Sequence, residues 1–197
     1  YGFPATASAP ERACDEARPL RVGFVGTLVW HKGAHVLIEA ARLLRGSFEL
    51  HLHGATGTFP DYSDRLRRDA AGLPVIFHDG FDGDSAAVFA GLDVLVVPSL
   101  WPENSPLVIH EAFMHGVPVV GARMGGIPGL VTHDVNGLLY DAFSAPALAE
   151  CLQRLLDAPG LLTQLASRVP AVKSIEADAL EWEARYHRLT HAAEVPA

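Results

Sequence analysis

Residues 26–33 and 98–106 combine charged side chains with glycines and prolines, a composition that is common in ligand-binding loops. In the first segment, Lys32 stands beside Gly33 at the predicted start of a helix. The unpaired amide groups and the dipole of a helix N-terminus favour a bound anion, and the lysine adds a positive charge. This segment therefore predicts a site for a diphosphate. The alternative is a lysine that is simply solvated, as most lysines are.

The second segment ends at Ser105 and Pro106, where a helix is predicted over residues 106–115. Serine is a favoured N-cap and proline is favoured at the first helical position, so we predict that Ser105 caps this helix. The amide groups of Leu107 and Val108 in the first turn then lack helical acceptors and are available to a ligand.

Two carboxylates belong to the same region. Glu103 precedes the helix, and Glu111 lies about one and a half turns into it. Carboxylates are unfavourable beside an anion, but they accept hydrogen bonds from sugar hydroxyls, each worth about 1.5–3 kcal/mol. The alternative for Glu111 is an exposed helix surface, which its apolar neighbours Ile109, Ala112 and Phe113 disfavour. These residues predict a ligand that carries both phosphate and sugar.

The elements that must position these residues are an alternation of short apolar runs and amphipathic stretches. Strands are predicted at residues 21–26, 48–54, 75–77, 93–97, 118–121 and 137–140. Helices are predicted at residues 33–45, 61–71, 84–91 and 106–115, with a short turn at 127–131. This alternation predicts an α/β fold, a Rossmann-like doubly wound parallel sheet of about six strands. With the strand order 3-2-1-4-5-6, ligands bind beyond the carboxyl ends of strands 1 and 4, where both segments begin.

The rest of the chain divides into a start and an end. Residues 1–19 carry three prolines without apolar periodicity and are interpreted as a linker or strap before a domain over residues 20–172. Further helices are predicted at 145–157, 161–169 and 173–191. The last belongs to a carboxyl-terminal segment, 173–197, with an apolar stripe of Ile175, Ala179, Trp182, Tyr186 and Leu189. This stripe packs either on the chain's own sheet or on a domain that is missing here.

Composition excludes several classes of protein. The 23 acidic and 15 basic residues give a net charge of −8, which excludes a nucleic-acid binder that relies on general basicity. No apolar run approaches the roughly 18 residues that span a bilayer. Cys14 and Cys151 have neither metal-ligand spacing nor the pattern of a disulfide framework, so we expect a reducing cytoplasm.

Known motifs exclude further classes. The glycines near residue 26 lack the spacing of a dinucleotide fingerprint, and a phosphate-binding Gly-Lys-Ser/Thr motif is absent. Ser99 and Ser105 lack the context of a nucleophile elbow. Ten histidines include pairs with ligand-like spacing, but no third acidic or thiol ligand follows at a recognisable interval, so we predict no metal site. The pairs are His31/His35, His51/His53 and His187/His191.

Several motifs occur together in the middle of the chain. They are Pro98-Ser99, Glu103 followed after seven residues by Glu111-Ala112, residues 116–120 and Gly125-Gly126-Ile127-Pro128. This combination resembles the donor-binding half of retaining glycosyltransferases of family 4, enzymes of the two-Rossmann-domain GT-B fold. The similarity extends over about residues 20–140 through residues 26–33, Gly54, residues 75–81, Asp93 and residues 136–139.

The resemblance implies roles for individual residues. Glu111 would hold the ribose hydroxyls of a nucleotide sugar, Glu103 would contact the transferred sugar, and Lys32 would neutralise the diphosphate. The nucleobase would lie at residues 78–81. Lys32 and Glu103 are the expected catalytic residues. The expected donor-binding residues are Gly26, Thr27, Lys32, His78, Gly80, Phe81, Asn104, Ser105, Leu107, Val108 and Glu111.

The resemblance also implies a reaction and a partner. A hexosyl group would pass from the nucleotide sugar, the substrate, to an acceptor with retained configuration and without a metal or cofactor. The acceptor site would belong to an amino-terminal domain of the same polypeptide, with peripheral membrane contact allowed but no transmembrane segment. The fragment by itself would bind donor without transferring it. Two departures concern Thr27, where the family usually has arginine, and Gly129, where glutamate is common.

Two other functions are weighed against this expectation. A non-catalytic nucleotide-sugar sensor or scaffold domain would keep the fold without turnover. An upstream half with a histidine in the cleft would favour the enzyme. A phosphorylase or nucleotide-sugar epimerase would need a pyridoxal-phosphate lysine site or hydrolytic groups, which the sequence does not offer.

Overall fold

The sheet is six-stranded and parallel throughout, in the order β3-β2-β1-β4-β5-β6. A computed structural model describes residues 2–3, 18–80 and 85–191. Phe81, Cys14 and most of the predicted linker lie outside the described residues. The strands are β1 Leu20–Val25, β2 Phe48–His53, β3 Val75–His78, β4 Val94–Val97, β5 Val119–Ala122 and β6 Gly137–Tyr140. The predicted fold class and strand order are therefore confirmed.

Helices follow the strands as the sequence predicts, with differences of a few residues at their ends. A short 3-10 helix, Trp30–Lys32, precedes the first α-helix. The α-helices are α1 Ala34–Ala41, α2 Pro60–Asp69, α3 Ser85–Ala90, α4 Leu107–Met114, α5 Ile127–Leu130, α6 Ala145–Asp157, α7 Pro159–Ala166 and α8 Ile175–His191. Of these described helices, none is both long and apolar enough to cross a membrane.

Apolar side chains cover both faces of the sheet. Leu50 and Leu52 of β2 point into a cluster with α1, α6 and α7, while Leu95 and Val97 of β4 point into a second cluster with α3 and α4. All four residues of β4 are buried. Burial on both faces is the reason that this strand is continuously apolar rather than alternating. The core thus fixes the sheet, and the loops at its carboxyl edge are left for binding.

The last helix does not pack on the sheet. Along α8, the stripe residues Ile175, Trp182, Tyr186 and Leu189 are between 47% and 71% exposed. The expectation that this stripe packs on the chain's own sheet is therefore wrong. Near the start of α8, the Phe3 amide donates to the Lys173 carbonyl, with the two atoms 3.1 Å apart. The start of the chain thus runs beside the start of its last helix, while the domain boundary at 172 stays a prediction.

Candidate functional site

A cleft of about 360 Å³ lies beyond the carboxyl ends of β1 and β4. Strand order reverses between these two strands, which is where ligands bind in open parallel sheets. The volume is in the range of small-molecule sites. Its walls are Phe24, Val25, Gly26, Thr27, Lys32, Val96, Val97, Pro98, Ser99, Glu103, Ser105, Pro106, Leu107 and Val108. Both segments singled out in the sequence therefore contribute to one cleft.

An ion pair joins the two segments inside this cleft. Lys32 Nζ lies 2.6 Å from Glu103 Oε1, and the two side chains are 35% and 18% exposed. The hydroxyl of Ser99, a buried residue, donates to the same Glu103 oxygen at 3.0 Å. Sequence reasoning dismissed Ser99 as a nucleophile and missed this positioning role, although its place in the Pro98-Ser99 motif was a signal. The structure thus brings Lys32 and Glu103 together.

Gly33 fixes the first loop against the second. Its φ is +77°, and a Cβ built there would lie 1.9 Å from the Pro98 carbonyl oxygen. Next to it, the Leu100 amide donates to the His31 carbonyl at 2.8 Å. The sequence predicted that the helix start at Gly33 faces an anion. In the structure Gly33 packs on Pro98, and Lys32 is the residue of this helix start that lines the cleft, so an anion site there stays a prediction.

Gly125 and Gly126 support the backbone of Glu103. The Gly126 amide donates to the Glu103 carbonyl at 2.6 Å, and a Cβ on Gly125 would lie 2.4 Å from that same oxygen. A Cβ on Gly126 would lie 1.7 Å from the Asn104 carbonyl oxygen. The sequence left open whether these glycines serve a ligand or a turn. The contacts favour the turn, which holds the Glu103 loop in place.

The start of α4 differs from the prediction. Its N-cap is Pro106, which offers no side-chain cap, and the helix begins at Leu107. Ser105 Oγ lies 3.0 Å from His110 Nε2 instead, so the prediction that Ser105 caps the helix is wrong. The Ser105 hydroxyl is therefore hydrogen-bonded to the His110 imidazole and not to an amide group of the first helical turn. As a result, the first-turn amide groups have no side-chain acceptor from the cap, and Leu107 and Val108 line the cleft.

Glu111 and Asn104 are outside the cleft lining. Asn104 is exposed, and Glu111 is half-buried further along α4. Among the described residues, Glu111 has no hydrogen-bond or ion-pair partner, and burial raises the pKa of its carboxyl above the ordinary glutamate value. The exposed-surface alternative for Glu111 is therefore not what the structure shows. The sequence predicted that Glu103 and Glu111 both lie beside Lys32. The structure brings Glu103 to Lys32, but Glu111 does not line the cleft.

His78 ends β3 and Gly80 follows it at the same edge of the sheet, two strands away from β1. The Gly26 amide donates to the His53 carbonyl and the Gly54 amide donates to the His78 carbonyl, so main-chain bonds connect the strand ends. Gly80 has a φ of +81°, as a turn after a strand requires. Neither residue lines the cleft itself, and Phe81 lies outside the described residues.

Comparison with known proteins identifies the family. The model described as "Glycosyl transferases group 1" matches residues 19–158, most of the chain. The chain belongs to this glycosyltransferase family. The D-inositol 3-phosphate glycosyltransferase of Corynebacterium glutamicum is 36% identical over 148 residues, which are 69% of this chain and 35% of that protein. The resemblance inferred from the motifs is therefore confirmed, and this glycosyltransferase chain spans about a third of the length of the curated relatives it matches.

Solved structures place the same fold in glycosyltransferases. The structure of Anabaena Alr3699/HepE in complex with UDP has a TM-score of 0.79 and 27% identity, covering 87% of this chain and 50% of that one. The same protein in complex with UDP-glucose has a TM-score of 0.71 and 30% identity over 78% of this chain and 43% of that one. The glycosyltransferase chain therefore has the Rossmann-like architecture of GT-B enzymes.

Burial of Glu111 has a measurable cost. Because the pKa of Glu111 is raised in the folded state, its carboxyl does not destabilise the fold at a pH below the ordinary glutamate pKa. The folded chain loses stability as the pH rises through the raised value. We expect Glu111→Gln to raise the melting temperature at pH 7, because the substitution removes a carboxyl whose ionised form is disfavoured by burial. At about pH 3, below the usual glutamate pKa of about 4.3, the difference should disappear. Thermal unfolding at the two pH values measures both effects.

The matched control is Glu150→Gln, at an exposed position of α6. This variant should leave the melting temperature almost unchanged at both pH values, since an exposed carboxyl is solvated in the folded and unfolded states. A Glu111→Gln variant that melts at or below the temperature of the parent at pH 7 would contradict the assignment of an uncompensated buried charge.

Proposed function

We propose that this chain binds a nucleotide sugar and forms the donor half of a retaining glycosyltransferase. The observation that carries the proposal is the Lys32–Glu103 pair inside the cleft between β1 and β4. A cation suits the diphosphate of such a donor, and a carboxylate suits the hydroxyls of its sugar. Lys32 would therefore bind the diphosphate and Glu103 the sugar. The two side chains are neighbours, as the diphosphate and the sugar are in the substrate.

Binding requires the pair to open. As the diphosphate enters, Lys32 Nζ exchanges its contact with Glu103 for a phosphate oxygen, and the uncapped amides of Leu107 and Val108 donate to neighbouring oxygens. The Glu103 carboxylate then accepts from the sugar hydroxyls, while Ser99 keeps its orientation. After the exchange both charged groups keep hydrogen bonds, Lys32 to the phosphate and Glu103 to Ser99 and the sugar hydroxyls, so neither is left unsatisfied in a half-buried site.

The nucleoside is proposed to extend from the cleft toward the ends of β2 and β3. Glu111 is suited to accept hydrogen bonds from the ribose hydroxyls. Its half-buried carboxylate has no partner among the described residues, and two hydroxyl donors would stabilise it. The base would follow along His78, Gly80 and Phe81. The complexes of Anabaena Alr3699/HepE with UDP and UDP-glucose support uridine nucleotides as the first to test.

The proposed reaction breaks the bond between the anomeric carbon and the diphosphate oxygen, and the acceptor oxygen forms its new bond on the same face. Negative charge develops on the leaving diphosphate, and preorganised cations and amides lower the energy of that state. Lys32 and the first turn of α4 would supply this stabilisation, so no metal or cofactor is proposed for transfer. Thr27 offers no charge where an arginine would share the task, which leaves Lys32 as the main cation of the cleft.

An amino-terminal acceptor domain of the same polypeptide is proposed to complete the enzyme, because the curated relatives are about three times as long as their matched part. This chain would then bind donor without transferring the hexosyl group. Peripheral membrane contact would belong to that longer protein. A cytoplasmic location stays a prediction from the cysteine usage.

A panel of nucleotides and nucleotide sugars tests the proposal. At a hundredfold excess over its dissociation constant, a donor should stabilise the fold by about 2.7 kcal/mol, or about 5–10 °C in melting temperature. Uridine and guanosine diphosphate sugars are the expected binders, and the corresponding free sugars are the control. A panel without any shift would contradict a donor site.

A further inference from the structure

Three histidines lie on one face of β2 and β3. His51 and His53 are two residues apart on β2, so their side chains share a face, opposite to Leu50 and Leu52 in the core. On β3, His78 pairs directly with His53 in the parallel ladder. The sequence offered only the His51/His53 pair, because the third imidazole comes from the neighbouring strand 25 residues later.

One ring nitrogen from each histidine lies near the spacing of ligands around one metal ion. His51 Nδ1 lies 3.1 Å from His78 Nε2. Two nitrogens bound to one tetrahedral zinc at 2.0–2.1 Å are about 3.4 Å apart. The His53 ring stacks on the His78 ring with centroids 4.0 Å apart, and one nitrogen from each of the three residues lies within 4.8 Å of the others. Because the rings of His53 and His78 stack almost parallel, with an interplanar angle of 2°, metal binding would require them to turn so that their lone pairs converge.

A carboxylate orients the cluster from outside. Glu49, on the same face of β2, places its Oε2 3.3 Å from His51 Nε2. When His51 Nε2–H donates to Glu49, the lone pair of the ring is on Nδ1, the nitrogen that faces His78. Histidines that bind zinc commonly donate their other nitrogen to a carboxylate, which fixes the tautomer and increases the basicity of the ligand.

We propose that His51, His53 and His78 form a binding site for a divalent transition metal of the zinc class. Three imidazoles suit such ions and do not suit magnesium or calcium, which prefer oxygen ligands. The fourth ligand would be water, since the His51 side chain is 15% exposed.

The electrostatics of the cluster agree with this geometry. Burial, followed by the charges of His78 and His51, lowers the pKa of His53 to about 4. Burial and His51 also lower the pKa of His78. Neutral imidazoles carry the lone pairs that a metal needs, and both shifts favour the neutral form.

The site would be structural rather than part of transfer. His51, His53 and His78 are absent from the cleft lining that contains Lys32 and Glu103. A bound ion would tie β3, the edge strand, to β2 at the end of the sheet. The inference does not depend on the proposed donor function, because zinc binding is measured without a nucleotide. His78 is named in both proposals, as a metal ligand through its imidazole and beside the base in the donor site.

Zinc titration of the chelator-treated 197-residue chain tests the site. We expect Zn²⁺ at a hundredfold excess over its dissociation constant to raise the melting temperature by about 5–10 °C, and Mg²⁺ to have no effect. Co²⁺ should give the intense visible bands of a tetrahedral site. His78→Asn should weaken zinc binding by about 100-fold, because loss of an outer-shell partner already costs about 10- to 100-fold.

Two further variants separate the site from general metal binding. Glu49→Gln should weaken zinc binding less than His78→Asn, since it removes an orienting group and keeps all three ligands. The control His187→Asn, at an exposed position of α8, should bind zinc as the parent does. Absence of a zinc shift in the parent, or equal zinc affinity in the His78→Asn variant with an unchanged circular dichroism spectrum, would overturn the proposal.

Discussion

Replacing Lys32 with alanine is expected to weaken the binding of a nucleoside diphosphate by about 10- to 150-fold. That range corresponds to the about 1.5–3 kcal/mol of a charge-assisted hydrogen bond. The effect should be near the upper end, because the variant also leaves Glu103 unpaired beside the incoming phosphates. Binding of the nucleoside without phosphates should change little. Calorimetric titration with UDP and with uridine measures the two affinities separately.

Two variants control for charge and for folding. Lys32→Arg keeps the positive charge and should retain most of the UDP affinity. Lys173→Ala removes a lysine that pairs with Asp178 and Glu181 beside α8, away from the cleft, and should leave UDP binding unchanged. If Lys32→Ala binds UDP as tightly as the parent, or loses uridine and UDP affinity equally, Lys32 does not contact the diphosphate.

Glu103→Gln is expected to act in opposite directions on two ligands. Without the carboxylate, Lys32 is released from its ion pair and the repulsion of the phosphates decreases, so UDP should bind more tightly than in the parent. The sugar of a donor loses a charged acceptor at the same time. The preference for UDP-sugar over UDP should therefore fall by about tenfold or more, equivalent to about 1.5 kcal/mol. The ratio of the two dissociation constants is the measurement.

The ratio of the dissociation constants of UDP and UDP-sugar separates a loss of the sugar contact from indirect effects. Any general disturbance of the cleft would weaken both ligands together and leave the ratio near the parent value. Glu150→Gln changes the net charge by the same amount on the exposed face of α6 and should change neither affinity. An unchanged ratio in Glu103→Gln would exclude a contact between Glu103 and the transferred sugar.

Much of the fold follows from local sequence patterns. The strand Val94–Val97 is apolar at every position, which predicts burial on both faces, and the structure buries all four residues. Helix ends were harder to predict. Ser105 has the ideal side chain for an N-cap, yet His110, five residues later, takes its hydroxyl. Competition between two partners of similar strength depends on the geometry of the helix, which residue preferences do not contain.

The sequence could predict the site contacts that follow from the order of the strands. It could not predict the contacts that depend on close packing between loops. The convergence of Lys32 and Glu103 follows from the strand order, since both loops leave neighbouring strand ends. The contact of Gly33 with Pro98 and that of Gly126 with Asn104 join residues far apart in sequence. Such contacts follow from the assembled loops rather than from any local pattern.

The sequence alone could predict neither the complete histidine cluster nor the packing partner of α8, because both depend on how distant elements are arranged. The ligand set around His51 is complete only when β3 is placed beside β2, which required the register of the ladder. For α8, periodicity predicted an apolar stripe correctly, but a stripe does not specify its partner. The exposure of Trp182 and Tyr186 in the structure decides against the sheet of the same chain.

A crystal structure of the chain with UDP-glucose tests the central claim most directly. We predict that Lys32 Nζ leaves Glu103 and lies about 3 Å from a phosphate oxygen, with the first-turn amides of α4 on the same group. Glu103 should accept from a hydroxyl of the glucose. A nucleotide bound outside the cleft between β1 and β4, with the Lys32–Glu103 pair still closed, would contradict the account.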